Sequence, residues 1–109
     1  MATVTLDGAA IHDAASFHAA SKQAFGFPEF YGNTIDAWID CLSYLRDEDA
    51  MSSVQLGPDE VLTIEVKNAD AFKASAPELL EEISFCIQAI NERYADYGEK
   101  PALALVLRP

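Results

Sequence analysis

Phe27-Pro28-Glu29-Phe30-Tyr31-Gly32-Asn33-Thr34-Ile35-Asp36-Ala37-Trp38-Ile39-Asp40-Cys41-Leu42 reads as a chain break followed at once by a helix. Pro28 has no amide donor and restricts Phe27 to extended geometry, so any helix before it stops at Phe25-Gly26. Asn33 is the expected N-cap of the next helix, with Asp36 at N3 in an Asn-x-x-Asp capping box; Thr34 is the alternative cap one position later. Ile35, Trp38, Ile39, Leu42 and Leu45 supply an apolar arc. Asp36, Asp40 and Asp47 fall within about 40° of one another on a different face, with Ile39 at the border and Cys41 on the far flank. One side of this helix is suited to a core and another carries unpaired negative charge.

Upstream, Thr3 to Asp7 reads as a short strand ending at the turn signal Asp7-Gly8. Asp13 is the expected cap of a helix carrying Phe17, Ala20, Ala24 and Phe25 at helical spacing. Downstream, residues 47–60 read mostly as an acidic surface connection, with Gly57-Pro58 its strongest breaker. Val61 to Val66 has the β-branched, mostly apolar character of a strand covered on both faces. A short helical turn is expected over Ala69 to Ala74, and Ser75 is placed to cap a long helix with Pro77 in its first turn and Glu78 at N3. Leu80, Ile83, Ile87, Ile90 and Tyr94 form that helix's apolar stripe, and Ala102 to Leu107 reads as a last strand. Strands separated by helices, without usable hairpin turns, imply an α/β fold with a small parallel sheet.

The chain has 109 residues, half of them hydrophobic, and is expected to form one domain over residues 1–109. Eighteen acidic residues against seven basic ones give a formal charge of −11. Nucleic acid and anionic membrane surfaces are thereby disfavoured as direct ligands, because phosphate contacts need Lys and Arg. A basic protein partner is favoured instead. The N-terminus lacks the pattern of a signal peptide, and Cys41 and Cys86 read as buried thiols, so a cytoplasmic protein is expected.

The block from Phe27 to Leu42 closely resembles the barstar family of ribonuclease (barnase) inhibitors, above all at Pro28-Glu29, Tyr31-Gly32, Asp36-Ala37 and Asp40-Cys41-Leu42. The order of strands and helices resembles that family over nearly the full chain. The resemblance implies a three-stranded parallel sheet packed with about four helices, and an activity of binding rather than catalysis. It implies that Asp40 is the principal acidic residue entering a nuclease's phosphate subsite, and that Asp36 is a second acidic contact on the same helix. It further implies close backbone approach at Gly32 and an apolar contact at Ile35, with Glu29 beside this surface. Phe30, Thr34 and Ile39 stand where the family prototype has tyrosine, asparagine and tryptophan; they are candidate partner-binding residues that leave the target open. Phe30 and Ile35 read equally as core, Tyr31 reads first as core with its hydroxyl pinning the loop, and Gly32 also reads as a glycine relieving a turn with unusual dihedrals.

The expected partner is therefore a basic ribonuclease or nuclease toxin, with no cofactor, no metal and no small-molecule substrate. The competing reading is a non-inhibitory acidic module that recruits or masks a basic protein. Enzyme readings have little support: His12 and His18 are six residues apart without evident partners, and both read as exposed or structural. Walker, Rossmann, zinc and EF-hand patterns are lacking. In the last helix Glu81, Glu82 and the pair Glu92/Asp96 read first as a solvated face and second as a further acidic contact zone.

Overall fold

The computed structural model describes residues 2–47 and 52–109. Among these, three strands, β1 (Ala2–Asp7), β2 (Leu62–Lys67) and β3 (Leu103–Leu107), alternate with four helices. Helices α1 (Ala14–Phe25) and α2 (Ile35–Leu42) lie between β1 and β2, and α3 (Ala69–Ser75) and α4 (Pro77–Asp96) between β2 and β3. The strands pair in parallel in the order β1-β2-β3, as the sequence pattern implies.

The register lines up Ala2 with Leu62 and Leu103, Val4 with Ile64 and Leu105, and Leu6 with Val66 and Leu107. These rows face the helices, and Val4, Leu6, Leu62, Ile64, Val66 and Leu103 are buried. The alternate rows pass through Thr3, Thr63 and Ala104, then Thr5, Glu65 and Val106. None of those residues is buried. β2 is therefore covered on one face, not both as its β-branched sequence suggested. Glu65, held at 2.6 Å by the Arg108 guanidinium, marks the open side.

Local chemistry explains the element boundaries. Asp13 caps α1 as expected: its Oδ1 accepts the Ser16 amide, while Ser16 Oγ accepts the Asp13 amide. Ser75 does not cap α4. The Ala76 amide donates to the Phe72 carbonyl, which extends α3 through Ser75 and leaves Ala76 at the N-cap position without a side-chain cap bond. In the 47–60 connection, residues 48–51 lie outside the described region; the described remainder is mostly surface, as expected, with Leu56 the one buried residue among them.

Tyr94 joins the two halves of the core. Its hydroxyl donates to the Leu42 carbonyl and accepts the Leu45 amide, each at 3.0 Å, satisfying backbone groups left orphaned where α2 ends. The Arg46 guanidinium stacks over the Tyr94 ring, 5.1 Å from its centroid, and donates to the carbonyls of Glu60 and Lys100. Tyr94→Phe removes both hydroxyl bonds and leaves two buried backbone groups unmatched. Urea denaturation should show a loss of about 1–3 kcal/mol. A loss below about 0.5 kcal/mol would mean that water or a shifted backbone satisfies those groups equally well.

Candidate inhibitory face

The loop entering α2 is fixed from beneath by aromatic packing. Gly26 ends α1 in the left-handed region (φ 68°), donating its amide to the Lys22 carbonyl, and a Cβ there would collide with the Ser53 side chain. Phe27 stacks on Phe25 with centroids 5.3 Å apart and contacts Tyr31 at 4.7 Å. The Tyr31 hydroxyl shares a 2.6 Å hydrogen bond with Nδ1 of buried His18. Tyr31 therefore pins the loop, and His18 is a structural histidine. Phe30, by contrast, stands 77% exposed.

Thr34, not Asn33, caps α2. Asn33 sits at φ 55°, whereas Thr34 has the extended backbone of an N-cap and accepts the Ala37 amide at 3.1 Å. Trp38 is fully buried against Phe17 and Phe25, and its indole N–H donates to Ser21 Oγ at 3.2 Å. At about 100° per residue, positions two before and two after Trp38 each lie about 160° from it and about 40° from one another. Burial of the indole thus turns Asp36 and Asp40 outward together, and both are exposed. Asp47 does not join them, because α2 ends at Leu42 and the chain turns away; buried Leu45 likewise packs from that turn rather than from the helix.

Across from α2 lies α4. Ile35 and Ile39, both half-buried, line a mostly apolar groove of about 540 Å³ with Phe85, Cys86 and Ala89, bordered by Glu78, Glu81 and Glu82. Burial, then the negative charges of Glu82 and Asp36, push the Cys86 thiol above its ordinary pKa. Acids from two helices thus converge on one region. Glu92 instead lines a separate depression beside Leu103 and Leu105, away from the α2 face. Asp40 Oδ1 lies 3.3 Å from Arg93 Nη1 of α4, both side chains being about half exposed. Glu29 is fully exposed, with Lys22 Nζ at 3.7 Å, and among the described residues no ion pair forms with Asp36.

The sequence-derived candidates Glu29, Phe30, Gly32, Thr34, Ile35, Asp36, Ile39 and Asp40 thus occupy one loop and the helix that follows it. Gly32 is exposed, has no left-handed φ, and a Cβ added there would meet none of the described residues within 4 Å. Two neighbours escaped sequence reasoning. Phe85, 71% exposed, was signalled only by an aromatic lying off the apolar stripe of α4. Arg93 carried no local signal, because its relation to Asp40 spans 53 positions.

This geometry defines a small α/β protein that presents a carboxylate-bearing helix on its surface. The family model described as Barstar (barnase inhibitor) matches residues 1–106, and the chain belongs to that family. Members of the family are non-enzymatic inhibitors, which supports a ribonuclease-inhibitor-like role and a ribonuclease-like partner in general terms. No individual curated protein matches the chain.

Burial pulls the His18 imidazole below its ordinary value of 6.5, against the opposing pull of the Glu82 charge. The unfolded chain then takes up this proton at higher pH than the folded one. The stability contributed by neutral His18 is complete above about pH 6.5 and is lost as pH falls toward the lower folded value. Unfolding midpoints should fall between about pH 7 and pH 5 more steeply in the native chain than in His18→Gln. Parallel curves would contradict a depressed His18.

Proposed function

We propose that this chain inhibits a basic ribonuclease by inserting Asp40, with Asp36 beside it, into the enzyme's phosphate-binding site. The observation that carries this reading is the outward pairing of the two aspartates opposite buried Trp38. Cleavage of a phosphodiester requires cationic and hydrogen-bonding groups focused on the scissile phosphate. A carboxylate held there accepts charge-assisted hydrogen bonds and offers no bond to cleave.

The surroundings support the same role. Gly32 needs no left-handed backbone, and a Cβ there would meet none of the described residues within 4 Å, so its bare backbone is open to the close approach by a partner that the family resemblance implies. Phe30 supplies exposed apolar area, Ile35 and Ile39 a half-buried apolar flank, and Thr34 and Glu29 a polar rim. The charge of −11 favours encounter with a basic enzyme. Free, buried Cys41 and Cys86 suit action in a reducing cytoplasm, on the host's own nuclease before export or on an incoming toxin.

Titration of basic ribonucleases, with RNA cleavage as the readout, tests this reading. Stoichiometric loss of activity is expected; binding without inhibition would favour a recruiting or masking module instead. Truncating one partner of a buried, hydrogen-bonded charge pair costs about 2–5 kcal/mol, so Asp40→Ala should weaken binding more than about tenfold. The exposed pair with Arg93 is worth less than about 1 kcal/mol, so the fold should persist. Gly32→Ala should weaken binding while leaving the unfolding midpoint unchanged or slightly raised. Unaltered affinity in both variants would place the interface elsewhere.

A further inference from the structure

We propose that Arg93 is a specificity-determining residue, an internal counter-ion on Asp40 that an incoming nuclease cation has to displace. This inference rests on the proposed role of Asp40 and adds the element that regulates access to it.

The pairing is built to be exchanged. Arg93 Nη1 makes a single contact to Asp40 Oδ1 at 3.3 Å, not a two-pronged clamp, and both groups are open to solvent. The same Nη1 donates to Ser43 Oγ at 3.2 Å, and Ser43 Oγ in turn donates to the Ile39 carbonyl at 2.6 Å. Arg93 is therefore also anchored at the C-terminal end of α2, where the helix dipole favours a cation. It keeps that anchor when Asp40 turns to another partner.

Its charge consequently stays beside the site during binding. A nuclease cation placed on Asp40 comes within several ångströms of this guanidinium and is repelled, while Asp36 has no such guard among the described residues. Arg93 thus admits nucleases that approach Asp40 from the side away from α4 and penalises those whose cations crowd the α4 side.

Binding of Arg93→Gln, Arg93→Lys, Asp40→Ala and the Arg93→Gln/Asp40→Ala double variant, measured against a panel of basic ribonucleases including barnase, tests the assignment. Like charges about 5 Å apart in a solvent-exposed setting correspond to about a three- to tenfold change, so Arg93→Gln should tighten binding by that factor for the ribonucleases that Arg93 penalises, narrowing the spread of affinities across the panel. Arg93→Lys should stay near the native value, because the cation is retained. The gain should vanish in the Asp40→Ala background, which an effect of overall charge would not do. If Asp40→Ala weakens binding but Arg93→Gln leaves it unchanged or weaker, the counter-ion role is wrong and the inhibitory reading stands. If Asp40→Ala has no effect, or no ribonuclease in the panel binds, both fall together.

Discussion

The indole of Trp38 settles which way the proposed inhibitory surface points. Once it is enclosed by Phe17 and Phe25 and its N–H is satisfied by Ser21, helix geometry leaves Asp36 and Asp40 only the opposite side. Removing a buried aromatic of this kind costs about 3–5 kcal/mol, several times the worth of an exposed ion pair, so packing rather than electrostatics sets the orientation. The carboxylates are passengers on a helix whose rotation is fixed from inside.

A helix of eight residues does not hold itself together in water. α2 persists because each end is tied to something else. Thr34 takes up an amide at its start, and Tyr94 reaches from α4 to take up the Leu42 carbonyl at its finish. Ahead of it, Phe27 stacks on Phe25 and packs at a tilt against Tyr31, which ties the loop to the core. A surface held this way loses little conformational entropy on binding, which lets a modest number of polar contacts count toward affinity. The pairing of Asp40 with Arg93 lies on top of this rigid frame and is its most exchangeable element.

Much of this was legible in the sequence because the signals are local. The break Phe25-Gly26-Phe27-Pro28 ends one helix, the spacing of Trp38 and Leu42 defines a buried arc, and Asp36 and Asp40 sit one turn apart on the other side. Where reading failed, a neighbouring element had intervened. Ser75 was absorbed into α3 by the Ala76–Phe72 hydrogen bond, and the extrapolation to Asp47 missed that α2 stops after two turns. Cap chemistry alone left Asn33 and Thr34 both open; the left-handed backbone at Asn33 decides for Thr34. The β-branched run of β2 looked like a doubly covered strand, yet Thr63 and Glu65 already carried the alternation of a sheet with one open face. Arg93 lay beyond reach, since only the packing of α4 against α2 brings it to Asp40.

Competition at the phosphate site tests the central claim most directly. The apparent dissociation constant of the complex with a basic ribonuclease can be followed as inorganic phosphate is raised at constant ionic strength. If Asp40 occupies the position of the scissile phosphate, the constant rises in proportion to phosphate, with a slope set by the enzyme's own affinity for that anion. A constant indifferent to phosphate would show that the inhibitor binds away from the active site.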